Sequence, residues 1–594
     1  MPEVIYRERF TKYSHEAGRL KKGLQLISSL RLILFLASAS LFYFFFKTDN
    51  AILLPAAIFC LIVFFIFIRR HDAEKRKLDI AKALVSINQT EIDLLEGKPS
   101  PYENGREHID SHHPYSYDID LFGQGSLYQF LNRCSTSFGR NSLAHSLLQP
   151  DINAIEKRQE AIRELSEMID FRQHLQAAGS IHSTEEKKID KLKYWLQQKP
   201  AFPNKNIYYF LLIFPLATII TLVIFFATDI ALYQSLAGLL FVINLAITFS
   251  FGRKMMQQIA VSTDINKTLQ QFSDQLVYIE NQSFQSPLLK ELQASVKKGT
   301  QASSRSIAVL ASRFHYLDYL YNVFVSPLLN GFFLFHIHIL YSLDQWKQQH
   351  GAHLLQWLEL IGEVEALNSF ANFRFNNPEF CFPVLSKEED VTASNLGHPL
   401  IASKRRVNND ISFCERKFVV LTGSNMSGKS TFLRTLGVNM VLAKAGSAVC
   451  ASKFVFYPYD VFVSMRITDS LQDSESLFYA ELKRLQSIIW HLSSGNKTFI
   501  ILDEILRGTN SNDKHNGTVG LIRQLIEKQA CGIIATHDLS VADLEKEYPG
   551  AIAALCFESE IVGDELLFDY KIKNGVCTKL SASFLMKKMG IIGK

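Results

Sequence analysis

KFVVLTGSNMSGKSTFLR, residues 417–434, decides the fold of the C-terminal third of the chain. Residues 417–422 are β-branched and aromatic, the composition of a buried strand. They lead directly into Gly423-Ser424-Asn425-Met426-Ser427-Gly428-Lys429-Ser430, then Thr431. This fits G-x-x-x-x-G-K-S/T set between a strand and a helix, the pattern of a loop that cradles nucleotide phosphates. The glycines let backbone N–H groups turn toward phosphate oxygens, and the helix N-terminus adds a favourable dipole. Lys429 can neutralise β/γ charge, and the Ser430 hydroxyl can ligate Mg²⁺. Residues 423–431 are therefore the expected ATP-binding loop.

A bare match of this kind needs partners, and downstream there are two. Residues 498–502 (TFIIL) read as a buried strand ending in Asp503-Glu504. An Asp at a strand end can hold Mg²⁺, and the Glu beside it can orient or deprotonate an attacking water. Residues 532–535 form a third apolar run ending in Thr536-His537, from which His537 can reach a γ-phosphate and sense its loss. Expected catalytic residues are Glu504, His537 and Lys429, with Ser430 and Asp503 on the metal. Short apolar runs alternate here with Gly-containing turns and helices, so residues 391–594 read as an α/β domain.

Working outward, the chain has 594 residues, 47% hydrophobic and 12% aromatic, with 45 Phe. The apolar residues are unevenly spread. Runs at 27–46, 51–68, 208–227 and 231–251 are each long enough to cross a bilayer as a helix. Within each pair the link is very short, KTDN or TDI, which predicts two transmembrane hairpins, 27–70 and 207–252. Arg31 can snorkel to the headgroups. Arg7, Arg9, Lys12, Arg19, Lys21 and Lys22 precede the first hairpin, and Arg69, Arg70 and Lys75 follow it. Lys199, Lys205, Arg253 and Lys254 flank the second, whereas the links hold only Lys47. The positive-inside rule then puts both termini, the middle segment and the ATP site on the cytoplasmic side of an inner membrane, with four transmembrane helices. No signal peptide is expected, because the first apolar run follows a charged stretch and no small-residue cleavage site comes after it.

The segments divide as a basic N-terminus (1–26), hairpin one (27–70), a helical core (71–206), hairpin two (207–252), a second helical part (253–390) and the α/β domain. From Asp118 onward apolar residues recur at helix spacing. A fifth apolar stretch, 317–343, contains Pro327, Asn330, His336 and His338. One more crossing would put the ATP site outside, so this stretch reads as a buried core helix. His336 and His338 have no third ligand nearby and read as core or helix-surface residues. The eight Cys show no CxxC, which suits a reduced compartment. A net charge of +5 does not by itself argue for nucleic acid. Arg405-Arg406 and Lys187, Lys188, Lys191 and Lys193 read as solvated surface or anionic-lipid contacts, and His112-His113 as incidental.

GSNMSGKSTFLRTLGVNMVLAKAGSAVCA (423–451), DEILRGTNSND (503–513) and ATHDLSVADL (from Ala535) resemble the ATPase motifs of the MutS mismatch-repair family. Ser476-Leu477-Phe478 with Glu481 is similar to that family's S-T-F-x-x-E signature, and Gly397-His398-Pro399 to the turn opening its ATPase domain. SLYQFLNRCSTSFGRNSLAHSLLQP, IEKRQEAIREL and GEVEALNSFANF resemble its helical core, and SFLMKKMGI, with Lys587-Lys588, its terminal helix. The resemblance implies an ABC-type ATPase domain using ATP and Mg²⁺, in a homodimer that sandwiches two nucleotides. Ser476 would then complete the site of the opposite subunit. The departures are as informative. No mismatch-reading domain is recognisable, and the second hairpin falls where the family's DNA-gripping clamp would be inserted. The family's adenine-stacking aromatic has no counterpart in SKRRVNND (403–410). Three roles stand open: a membrane-tethered MutS-like protein that engages DNA, a MutS-derived ATPase acting on the membrane or a protein partner, and an ABC-type transporter. The third lacks an LSGGQ-like segment before Asp503.

Overall fold

In the computed structural model, the described residues are 2–48, 50–181, 186–262, 265–297, 302–466, 477–562, 565–577, 586 and 591. The first apolar run lies within one helix, α1 (Pro2–Thr48), packed antiparallel on α2 (Leu53–Leu95). The changes of composition near residues 26 and 70 are changes of surface, not of backbone, since both helices run straight through them. Along the apolar half the side chains face outward: Leu32, Ile33, Phe46 and Phe59 are 60%, 61%, 76% and 67% exposed. Four helical stretches are long and apolar enough to cross a membrane by length and composition: α1, α2, Lys205–Thr228 and Ala231–Ser250.

The polar half of the α1–α2 pair is fastened to the body. Tyr6 is fully buried, and its hydroxyl reaches Asn372 Oδ1 (3.2 Å) and Asn376 Oδ1 (2.8 Å). Glu91, also buried, accepts from Arg133 Nε and Nη2 on its two carboxylate oxygens and from Asn372 and Asn376. Asn372 in turn accepts from Arg172 (2.7 Å). Each buried charge thus has a partner, as burial requires.

A turn-rich segment leads to α3 (Leu127–Leu131), α4 (Ser137–Leu148), α5 (Ile155–Glu167), α6 (Ile169–Ser180) and α7 (Glu186–Gln197). Residues 118–126, expected at helix spacing, are turns instead, because Asp120, Gly123 and Gly125 all take positive φ (53°, 103° and 72°). Next come α8 (Lys205–Leu211), α9 (Ile213–Thr228) and α10 (Ala231–Ser250). The core then resumes with α11 (Gly252–Ser262), α12 (Ile265–Asn281), α13 (Pro287–Lys297) and α14 (Ser303–Leu317).

The stretch 317–343 is not one buried helix. A 3-10 turn is followed by α15 (Val325–Phe333), then by a break at Leu334 (φ 47°) and α16 (Phe335–Asn376), at 75° to α15. The buried residues of the stretch are Leu317 at the end of α14, Asn330, Gly331 and Leu334 at the break, and Ile337, Leu340 and Leu343 among those in α16, while Val323, Phe324, Leu328 and Phe333 are exposed. The 42 residues of α16 form the axis of the core. In its C-terminal half, Glu365 accepts from Ser135 N, Thr136 N and Thr136 Oγ1, at the start of α4, and from Gln275 of α12. Gly362 lets α4 approach closely: a Cβ there would sit 2.6 Å from the Phe138 backbone.

The C-terminal part is α/β, and its strands begin at Val384. They are β1 (Val384–Leu385), β2 (Val391–Leu396), β3 (Asn409–Ser412), β4 (Phe418–Gly423), β5 (Lys453–Phe456), β6 (Asp460–Ser464), β7 (Thr498–Asp503), β8 (Cys531–Thr536), β9 (Ile552–Val562) and β10 (Glu565–Asn574). The main sheet has the order β10-β9-β4-β8-β7-β6, parallel except for the edge strand β10. A smaller sheet runs β1-β5-β2-β3. Strands β4, β7 and β8 are buried throughout, hence their unbroken apolar runs. Helices α17 (Lys429–Lys444), α18 (Leu477–Ser493), α19 (Ser511–Glu527) and α20 (Leu544–Glu547) accompany the strands.

The turn at 118–120 joins the two parts. Asp118 is 0% exposed; its carboxylate accepts from Met465 N (2.7 Å), Arg466 N (2.8 Å) and Arg484 Nη2 (2.6 Å). Asp120 binds Arg466 through two contacts (2.5 and 2.9 Å) and Arg434 of α17 at 3.4 Å. Asp118→Ala would leave Arg484 without its carboxylate, and the expected loss of stability is about 3 kcal/mol in thermal unfolding. The exposed Asp543–Lys546 pair supplies the control, since Asp543→Ala should stay within about 0.5 kcal/mol of the parent. By overpacking against Phe138, Gly362→Val should cost about 1–3 kcal/mol in the same measurement.

Candidate nucleotide site

The loop after β4 is shaped by its glycines. Gly428 has φ 102°, and at Gly423 (φ 153°) a Cβ would lie 2.9 Å from both Phe557 O and Ser427 Oγ. Met426, between them, also has a positive φ (67°) and is 75% exposed. Ser427 is buried, and among the described residues the hydroxyls of both Ser424 and Ser427 lack partners. Lys429 opens α17 and folds back onto the loop, donating to Gly423 O (2.8 Å) and Ser424 O (3.0 Å). Burial lowers its pKa from the usual lysine value.

Ser430 donates to Asp503 Oδ2 at 2.6 Å, bringing two distant motifs together. Asp503 is buried, its other oxygen, Oδ1, has no partner among the described residues, and burial raises its pKa. A buried, unpartnered carboxylate oxygen beside a serine hydroxyl is a donor set that suits a hard cation such as Mg²⁺. Glu504 follows with φ 49°, and its Oε1 lies 2.6 Å from His537 Nε2. The hydrogen bond from His537 pulls the Glu504 carboxyl down to about 2. Parallel pairing of β7 with β8, and of β8 with β4, sets these strand ends side by side.

The loop after Glu504 is held from α18. Glu481, buried, accepts from Leu506 N at 2.7 Å, and Phe478 packs against Gly508. Ser476, expected to act in trans, and the terminal Lys587-Lys588 lie outside the described residues.

A cavity of about 470 Å³ opens beside the loop. Its lining includes loop residues 425–431 and Glu504, together with His398, Ile401, Arg405, Val407, Asn409, Phe557 and Tyr570. Arg405 and Tyr570 did not stand out in the sequence as site residues. Arg405 read as surface but lines this cavity, whereas Arg406 is tied to Glu379 (3.3 Å) and lies 5.1 Å over the Phe380 ring. Tyr570 sits at a register shift in the β9–β10 pair with φ 53°. Asn409 fixes that irregularity, donating to Tyr570 O (3.0 Å) and accepting from Ile572 N (2.9 Å). The resulting bulge carries the Tyr570 ring to the loop, 3.0 Å from where a Cβ on Gly428 would be. His398, the middle of the Gly-His-Pro turn, is pushed down to about 4 by burial.

His336 is buried against Asn330, and His338 lies 2.8 Å from the Tyr208 hydroxyl. Among the described residues no group of three His, Cys, Asp or Glu side chains could hold a metal ion.

Two family models match the chain: MutS domain III over residues 115–371 and MutS domain V over residues 419–590. The DNA mismatch repair protein MutS of Thermotoga maritima is 30% identical over 258 residues, 42% of this chain and 31% of the relative. That of Chlorobium phaeovibrioides is 31% identical over 225 residues, 36% of this chain and 25% of the relative. The DNA mismatch repair protein MSH6 of Arabidopsis thaliana is 28% identical over 250 residues, 38% of this chain and 19% of the relative. The chain thus spans about a third or less of the length of these relatives. With models of two MutS domains matched in order, on a helical core and on the α/β part that carries the loop at 423–431, the chain belongs to the MutS family.

Proposed function

We propose that the chain is an ATP hydrolase of the MutS type, anchored by the α1–α2 and α9–α10 hairpins with its nucleotide site and both termini in the cytoplasm. The observation that carries the reading is the meeting of Ser430 with Asp503, and of Glu504 with His537, around the loop at 423–431. Lys429 leaves the carbonyls of its own loop for the β/γ-phosphates. Ser430 and Asp503 hold Mg²⁺, which when bound neutralises charge on the phosphate oxygens. Glu504 stays ionised and orients the attacking water once His537 releases it. Arg405 and Tyr570, which line the same cavity, flank the base and sugar. Ser476 of a second copy completes the site, in line with the family resemblance, so the working unit is a homodimer.

Two clients suit this engine. The relatives are named DNA mismatch repair proteins, which favours a DNA duplex held near the inner membrane. The insertion of an apolar hairpin between α8 and α11 favours the second, motion of the membrane segments or of a protein partner driven by ATP.

The test is ATP hydrolysis by the detergent-solubilised full chain, with and without homoduplex and mismatched DNA. Glu504→Gln is expected to lower turnover about 10²–10⁴-fold while ATP binding persists. Lys429→Ala should lose binding as well, and Tyr570→Ala should raise KM more than it lowers kcat. Full turnover by Glu504→Gln would refute the assignment. Stimulation by mismatched over homoduplex DNA would establish DNA as the client; activity indifferent to DNA would establish the second reading.

A further inference from the structure

The segment between α14 and α16 leaves the helical core and returns to it on the same side. Leu310, Phe314 and Leu317 of α14 share one buried cluster with Ile339, Leu343 and Trp346 of α16, and Trp346 Nε1 donates to Ser306 O at 2.8 Å. A full crossing between two such flanks is ruled out by geometry. Yet the segment carries some of the most exposed apolar side chains of the chain: Phe324 86%, Val323 79%, Leu328 56% and Phe333 50%. Residues 319–343 include no Lys, Arg, Asp or Glu.

This apolar surface continues that of the second hairpin. Asn244, 0% exposed in the middle of α10, donates to Gly331 O of α15 (2.7 Å) and to Thr218 Oγ1 of α9 (3.0 Å). Gly331 packs so closely on Phe241 of α10 that a Cβ would collide with its ring, and the Phe241 and Phe332 rings are 5.0 Å apart. Asn244 lies seven residues before Phe251, roughly 10 Å from the cytoplasmic end of its span. At the break the backbone finds partners within the protein: Leu334 N donates to Asn330 O (3.0 Å), His336 N to Asn330 Oδ1 (3.1 Å) and Ile337 N to Leu334 O (2.9 Å). A non-helical break at membrane depth is tolerated only where such groups are satisfied within the protein. Tyr316, Tyr319 and Tyr321 lie at the rim, where aromatic side chains favour the headgroup boundary.

We propose that residues 322–334 form a re-entrant helix inserted among the acyl chains of the cytoplasmic leaflet and docked on the second hairpin through Asn244. The proposal rests on the reading of α9–α10 as a membrane hairpin.

The experiment places the photocrosslinking residue p-benzoylphenylalanine at position 324, 249 or 490 of the full chain. The protein is reconstituted in vesicles of phosphatidylethanolamine and phosphatidylglycerol, and adducts are read by mass spectrometry. Phe249 of α10 and Trp490 of α18 are exposed controls, 87% and 72%. Phospholipid adducts at 324 and 249, with none at 490, are the expected result. Adducts at 249 with none at 324, or adducts from 324 to a second copy of the chain, would overturn the re-entrant helix and leave the hairpin reading standing. No adduct at 249 would overturn both.

Discussion

A single buried carboxylate holds the helical core in register. Glu365 sits in the C-terminal half of α16 and accepts from the backbone and hydroxyl at the start of α4, and from Gln275 of α12. Helices α4 and α12 come from opposite sides of the second hairpin, so Glu365 joins two halves that the sequence holds far apart. Burial pushes its carboxyl above the usual range, and the N-terminal N–H groups of α4 work against that shift. Gly139 and Gly362, with no side chains, give α4 and α16 the approach that this contact needs. Helix axis, core and the turn at 118–120 are positioned from there, and the Asp118 and Asp120 contacts carry that placement to α17 and α18.

The main functional groups of the site are paired internally, while the Ser424 and Ser427 hydroxyls and Asp503 Oδ1 are without partners among the described residues. Lys429 rests on loop carbonyls, Ser430 on Asp503 and Glu504 on His537. Around them Met426, Glu504 and Leu506 take positive φ (67°, 49° and 60°), backbone strain of the kind that clusters where groups are held for chemistry. Under the proposed function, an entering nucleotide would exchange these internal contacts for its own, which would couple binding to rearrangement of the loops after β4 and β7. The loop after β7 is also gripped by Glu481 and Phe478, which directly follow the segment carrying Ser476.

Much of this was legible in the sequence because its signals are local. Strand, loop, lysine and serine follow one another within residues 417–431, and Asp503-Glu504 and His537 each end an apolar run. Tyr570 was not legible: its position depends on a bulge fixed by Asn409, 161 residues away. Arg405 and Arg406 are adjacent in sequence, and only the fold separates the one lining the cavity from the one tied to Glu379. The stretch 317–343 misled for a physical reason. Burial in a core and exposure to an apolar medium select the same side chains, and the break at Leu334 leaves no composition signal. The turns at 118–126 were hidden because their apolar residues, Ile119, Leu121 and Phe122, are buried just as helix residues would be.

Helix α16 joins the α15 break at one end to the Asn372 and Asn376 contacts with Tyr6 and Glu91 at the other. At 1.5 Å per residue it spans roughly 63 Å. From that far end α1 runs back toward the first hairpin. Under the membrane reading, α1 and α16 are two struts that share a cytoplasmic node and have separate anchors in the bilayer. Such a truss has no free end. Any displacement of the node, which adjoins the first strand of the α/β domain, is relieved only as sliding or tilting of one anchor against the other.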